Sequence, residues 1–232
     1  MSKRPNKSRY AKKLETTQPP ENRFHIVPKN QKQDILVHSI KNYAITVTTG
    51  CAGTGKTYCS VGTAAALYKS GRYKKIVLAR ANVPTGRSLG HFPGDIKEKL
   101  TPWLMPMLEV LKKALGPGKF TYMVEKDIIE MQPIETIRGR SYEDTVVLVD
   151  EAQNLTFDDI KAITTRLGEN SKLVLMGDPA QSDVNNGQDL LMFCKLLERG
   201  GIDVPVITFG ANDIVRSDIV ADLVRLFLKE RV

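Results

Sequence analysis

The octapeptide Gly50-Cys51-Ala52-Gly53-Thr54-Gly55-Lys56-Thr57 fits the spacing G-x-x-x-x-G-K-[ST], and it restricts what this chain can become more than any other stretch. Glycines at these positions let the backbone curl until several N–H groups converge on one point, where a following helix adds the positive end of its dipole. The pattern needs a strand before it and a helix after it. Residues 43–48, Tyr-Ala-Ile-Thr-Val-Thr, are rich in β-branched side chains and suit a buried strand, and residues 58–69 hold an Ala-rich helical run. In that setting the octapeptide and the adjoining Tyr58 read as a nucleoside triphosphate site. Lys56 would neutralise the β- and γ-phosphates, and the Thr57 hydroxyl would ligate magnesium. A glycine-rich turn that binds nothing is the plain alternative.

A second segment strengthens the first. Residues 145–149, Thr-Val-Val-Leu-Val, form a near-continuous apolar run of the kind buried on both faces of a parallel sheet, and they end in Asp150-Glu151. Asp150 at that tip suits magnesium, and Glu151 suits a base that orients and deprotonates an attacking water. A base for water favours hydrolysis over transfer to a second small molecule, so a small-molecule kinase is the weaker reading. Residues 173–176 are a further apolar run ending in the polar loop Gly177-Asp178-Pro179-Ala180-Gln181. The neutral amide of Gln181 can bond both a terminal phosphate and the attacking water.

The remaining segments fill in an α/β chain. A short amphipathic helix precedes the first strand, and near its start Gln31 has an amide able to match the N6/N7 edge of adenine, or simply to be solvated. Residues 74–79 read as a strand ending at Arg80, a candidate contact to nucleotide or nucleic acid. Residues 84–95, with Gly86, Gly90, Pro93 and Gly94, read as a long loop of the kind that carries function. Thr101 and Pro102 mark a helix start, and Leu104, Leu108, Leu111 and Leu115 give it one apolar face; Trp103 reads as core or as a surface on which a base stacks. A helix over 120–131 and a strand over 134–137 follow, then Arg138-Gly139-Arg140, which suits either a phosphate-contacting loop or a solvated turn. Thr156 and Asp159 form a helix-start box, residues 189–197 a helix, and residues 204–208, with Pro205, an edge strand. Ser217 caps a closing amphipathic helix over 218–231, and Arg216 just before it is a candidate to reach a neighbouring molecule.

Composition sets the outer bounds. With 232 residues and 41% hydrophobic content, one domain over 24–232 is expected, and no apolar stretch is long enough to cross a bilayer. The basic N-terminus lacks an apolar run after it, so a cytoplasmic location is expected. Cys51, Cys59 and Cys194 have neither disulfide nor zinc spacing. The net charge of +8 points to a polyanionic partner. Residues 1–23 carry seven basic and two acidic side chains, hence +5 of that total, and read as a flexible tail, either a nucleic-acid arm or a solvated leader.

Taken together, these residues resemble the PhoH-like proteins, whose core is similar to the ATPase half of superfamily-one helicases. The resemblance covers nearly everything after the tail. It rests on Asn30-Gln31, the octapeptide, Leu89-Gly90 with Pro93-Gly94-Asp95, Arg138-Gly139-Arg140, Val149-Asp150-Glu151-Ala152-Gln153-Asn154, Gly177-Asp178-Pro179-Ala180-Gln181 and Asp213-Ile214-Val215-Arg216, in that order. It implies a RecA-like P-loop NTPase fold, a mostly parallel sheet flanked by helices, using ATP and Mg2+. Gln31 would lie at adenine, Lys56 and Thr57 at phosphate and magnesium, Asp150 and Glu151 at magnesium and water, and Gln181 would act as phosphate sensor. Arg216 would be an arginine finger acting in trans within a ring-shaped homo-hexamer. RNA or single-stranded DNA is the implied partner, with helicase-like activity. A nucleotide-controlled scaffold with slow hydrolysis is the rival from another class. Cys51 stands where the family is expected to have Pro, Ala81 where Pro is usual, and Ser217 where His is usual. The family includes virus-encoded members, so a phage-encoded copy would work in its host's cytoplasm.

Overall fold

The computed structural model describes residues 24–81, 96–137, 139–182 and 187–229. The tail over 1–23 and the loop over 84–95 lie outside them. Six strands form one sheet in which every pairing is parallel. They are β1 (Ile45–Gly50), β2 (Lys75–Arg80), β3 (Ile129–Met131), β4 (Thr145–Asp150), β5 (Lys172–Met176) and β6 (Val206–Phe209), in the order β3-β2-β4-β5-β1-β6. The eight α-helices among the described residues are α1 (Gln31–Asn42), α2 (Lys56–Lys69), α3 (Ile96–Leu115), α4 (Pro117–Glu125), α5 (Ile134–Ile137), α6 (Phe157–Thr164), α7 (Gln188–Gly200) and α8 (Asp218–Lys229).

Side chains of the central strands alternate between two cores, as a pleated strand requires. Ile76, Leu78, Val146, Leu148, Val174 and Met176 pack with Leu36, Leu67, Leu104 and Leu111 from the layer of α1, α2 and α3. Val77, Val147, Val149, Leu173 and Leu175 pack on the opposite face with Ile160, Ile163, Leu190 and Leu197 from α6 and α7. Both faces are covered, which is why these strands read as unbroken apolar runs. No described helix is long and apolar enough to cross a membrane.

Three expectations are corrected. α3 begins at Ile96, ahead of Thr101, so Pro102 and Pro106 lie inside it, and the Thr101 hydroxyl donates to the carbonyl of Lys97 rather than capping. The buried row Leu100, Leu104, Met107, Leu108 and Leu111 holds this helix together despite two missing N–H donors. The helix over 120–131 stops at Glu125. Asp127 takes φ 51°, which breaks the helical path, and Ile129 and Met131 are buried where β3 pairs with β2. The strand expected over 134–137 is the single helical turn α5, started by the bond from Thr136 N–H to the Pro133 carbonyl. The box at Thr156 and Asp159 forms as expected, with each side chain accepting from the other's backbone N–H.

Parallel pairing brings the carboxyl ends of the strands to one edge of the sheet. Arg80 pairs in register with Asp150, β5 leads into Gly177 and Asp178 beside them, and β1 delivers the glycine-rich loop next to β5. Every residue singled out as chemical in the described segments of these strand-end loops therefore faces one side of the molecule.

Candidate nucleotide-binding site

β1 ends at Gly50 with φ 115°, and a Cβ there would sit 1.9 Å from the Phe209 carbonyl oxygen of β6, so only glycine lets the chain leave the sheet at this point. The loop then wraps its own lysine. Lys56 Nζ donates to the carbonyls of Gly50 at 2.5 Å and Cys51 at 2.8 Å, and the buried Thr54 hydroxyl donates to Cys51 at 2.9 Å. Burial pulls the Lys56 ammonium below its ordinary range, against the opposing pull of Asp178 and Asp150. A cation held by neutral carbonyls and pressed by desolvation is poised for an anionic ligand.

α1 supports the loop from behind. Asn30 caps that helix by accepting from the Gln33 N–H, and so fixes Gln33 on the side facing the loop. Gln33, 3% exposed, donates from Nε2 to the Thr54 carbonyl at 2.8 Å and accepts from the Lys29 N–H at 2.8 Å. On the opposite side the Val215 N–H donates to the Gly53 carbonyl at 3.0 Å. Arg216 follows, close enough that a Cβ on Gly53 would lie 2.9 Å from its Cγ.

The acidic pair is held differently. Burial and the adjacent Glu151 charge push the Asp150 carboxyl above its ordinary value, while Arg80 and Lys56 oppose them. Glu151 leaves the strand with φ 53°, a left-handed conformation unusual for a residue with a side chain. Its Oε1 accepts from Arg80 Nη2 at 2.6 Å, and its Oε2 accepts from Gln153 Nε2 at 2.6 Å. Gln153 Oε1 in turn accepts from the Asp178 N–H at 2.9 Å, and Asp178 Oδ2 accepts from Gln181 Nε2 at 2.6 Å. A continuous hydrogen-bonded chain thus runs from Arg80 through Glu151, Gln153 and Asp178 to Gln181.

Lys56, Thr57, Tyr58, Asp150, Glu151, Gln181 and Arg216 all line one cavity of about 780 Å³, together with Ala52, Gly53, Gly55 and Arg80. Gln31 does not. It is exposed at the first residue of α1, and the glutamine from this helix that lines the cavity is Gln33. Arg216, expected to reach outward to a neighbour, lines the cavity of its own chain. Arg80 is engaged with Glu151 and with the Trp103 carbonyl, and Arg140 pairs with Glu130 at 2.9 Å; Arg138 lies outside the described residues. Sequence reading missed Gln33, and it quoted Gln153 and Asp178 within their segments without giving either a role. For Gln33 a signal was present, since Asn30-x-x-Gln33 has the spacing of a helix cap whose third residue folds back.

The Asp150 carboxylate and the Thr57 hydroxyl on one cavity are hard oxygen donors, and Asp150 carries negative charge that burial penalises. Both features fit a small divalent cation such as magnesium. A parallel sheet with a glycine-rich, lysine-bearing loop after one strand, and an acidic pair at the tip of the next strand but one, defines a RecA-like P-loop NTPase fold. Within that class the chain belongs to the PhoH-like protein family, whose sequence profile matches residues 25–228. It is 37% identical over 203 residues to the PhoH-like protein of Bacillus subtilis (strain 168), covering 87% of this chain and 64% of that one. It is 35% identical over 196 residues to Protein PhoH of Escherichia coli (strain K12), covering 83% of this chain and 55% of that one. The chain thus spans less than two thirds of either relative's length. Among solved structures, the large terminase of a thermophilic bacteriophage matches with a TM-score of 0.53 at 12% identity, over 84% of this chain and 49% of that one; it shares the fold.

Proposed function

We propose that this protein binds ATP in the cavity around Lys56 and hydrolyses it to ADP and phosphate, in a cycle coupled to RNA or single-stranded DNA. The observation that carries this reading is the convergence of Lys56, Thr57, Asp150 and Glu151 on one cavity. The Lys56 ammonium exchanges the Gly50 and Cys51 carbonyls for β- and γ-phosphate oxygens, so an electrostatic contact to developing charge replaces two neutral ones. Thr57 and Asp150 would hold magnesium, which when bound would neutralise charge on the phosphates. The Glu151 carboxylate accepts a proton from water as the water oxygen bonds to the γ-phosphorus; the bond from that phosphorus to the β–γ bridging oxygen breaks, and ADP leaves. Gln181, held by Asp178, is suited to orient that water. Gln33, lying against the loop where Gln31 was expected, is the better candidate for the base. Arg216 is assigned to the phosphates of its own chain, supported by its packing on Gly53. The ring of six copies implied by the family resemblance, with Arg216 acting on a neighbour, makes the opposite forecast in a mixing experiment described below.

Coupling to nucleic acid is supported by the charge of +8. A slow, nucleotide-controlled binding protein is the second reading. One observation favours it: both Glu151 oxygens are engaged by neighbours in this conformation. Phosphate release measured with and without single-stranded RNA or DNA separates the two. Stimulation that fades as salt rises supports the coupled ATPase, and turnover indifferent to any strand at low salt removes the coupling.

A further inference from the structure

Arg80 joins the carboxylate assigned as base to α3, a helix separate from the glycine-rich loop. Its Nη2 donates to Glu151 Oε1 at 2.6 Å, and its Nη1 donates to the backbone carbonyl of Trp103 in α3 at 2.8 Å. A planar guanidinium makes both bonds in one fixed fork, so a displacement of α3 at Trp103 is transmitted to Glu151. Trp103 is the chain's one tryptophan, and it is 45% exposed. An indole this exposed offers a flat apolar face on which another ring can stack.

The neighbours of that indole indicate which partner. At helical spacing, Lys99, Trp103, Pro106, Val110 and Lys113 fall within a stripe about 80° wide, and Glu98 and Glu109 lie off it. The stripe thus carries one aromatic ring and no carboxylate, with Lys99 one turn before the ring and Lys113 farther along, where its ammonium lies 6.0 Å from the Tyr58 ring centroid. Pro106, Val110 and Lys113 line the nucleotide cavity, so Trp103 continues the same surface beyond Arg80. Aromatic faces with flanking cations suit a strand whose bases are unpaired: the base stacks and its phosphates meet the lysines.

We propose that single-stranded nucleic acid docks on the Trp103 stripe of α3, and that Arg80 relays its arrival to Glu151. The proposal rests on the ATPase reading above and adds a docking surface and a positioning residue to it. Before docking, Arg80 and Gln153 occupy both oxygens of Glu151. Docking shifts the Trp103 carbonyl, draws Arg80 with it, and frees Oε1 to accept the proton of water.

The single tryptophan makes the test direct. Trp103 fluorescence in the full chain is titrated with oligo(dT) and oligo(U) at low salt, and phosphate release is measured in parallel. Expected are saturable quenching that weakens as salt rises, and stimulation over the same concentration range. Trp103→Ala weakens binding of a labelled oligonucleotide by about tenfold or more, and Trp103→Phe restores most of it. Arg80→Gln and Arg80→Lys both still quench, but their ratio of stimulated to unstimulated turnover falls toward one, because lysine keeps the charge without the fork. Stimulation without any change in Trp103 fluorescence overturns the docking surface while leaving a nucleic-acid-coupled ATPase intact. Quenching with Arg80 variants stimulated as fully as wild type overturns the relay. A response of Trp103 to ATP alone and to no oligonucleotide assigns the stripe to the nucleotide and overturns the proposal. Neither binding nor stimulation overturns both the proposal and the coupling it rests on.

Discussion

At the scale of single residues, the site is built by polar groups that bond to one another as well as facing the cavity, and that double duty sets what substitutions do. Gln33→Ala removes a bond to the Thr54 carbonyl and leaves the Lys29 N–H without its acceptor, both in buried or half-buried surroundings. The expected loss is about 1–3 kcal/mol of stability, read as a lower midpoint in urea, together with weaker nucleotide binding. Gln31→Ala, at an exposed helix start, is expected to change neither. Asp150 works in the other direction. Its pKa is raised in the folded protein, chiefly by burial and then by Glu151, so the folded state holds that proton more tightly than the unfolded one. The stability it contributes is fully present below the ordinary value of 3.8 and is lost as pH climbs through the raised value. Asp150→Asn removes this dependence. At pH 7 without nucleotide the variant is expected to be more stable than wild type by roughly 0.5–2 kcal/mol, at the cost of turnover. Thermal melts of both proteins across pH check the sign. Much of the cavity's polar lining was legible from types and spacing, since the glycine-rich loop with Lys56 and the strand tip with Asp150-Glu151 both stand out in the sequence and meet on one cavity. The choice between Gln31 and Gln33 was not, because two residues along a helix turn a side chain by more than half a circle, and only the Asn30 cap fixes the phase.

At the scale of elements, what reads clearly is what is buried on both faces. β1, β4 and β5 stand out as apolar runs because two helical layers cover them, and their ends gave the site. β3 and α5 were exchanged for one another. Three or four residues carry too little periodicity to separate a strand from a turn, and the deciding feature, the positive φ of Asp127, leaves no clear trace in residue type. α3 was begun too late because Pro102 resembles a helix start, whereas tertiary packing carries the helix through two prolines. The central strand β4 should govern both stability and site geometry. Leu148→Ala, in a fully buried position two residues before Asp150, is expected to cost about 2–5 kcal/mol by chemical denaturation, with loss of activity only as far as the protein unfolds.

At the scale of the whole molecule, the arrangement is one parallel sheet whose carboxyl edge carries the glycine-rich loop, the acidic pair and Gln181 as one hydrogen-bonded surface. Whether Arg216 completes its own site or another copy's is decided by mixing Lys56→Ala with Arg216→Ala subunits. With Arg216 acting within its own chain, every site in the mixture lacks one group and turnover stays at the level of the separate variants. Recovery of activity on mixing establishes action between copies instead. The claim beneath all of this is that one cavity both binds ATP and hydrolyses it through Glu151. Its most direct test is phosphate release by wild type and by Glu151→Gln in ATP and magnesium, with nucleotide affinity measured on the same samples. Expected is turnover about 10²–10⁴-fold lower in the variant at unchanged affinity; a variant that turns over ATP as fast as wild type, or a wild type that binds no ATP, contradicts it.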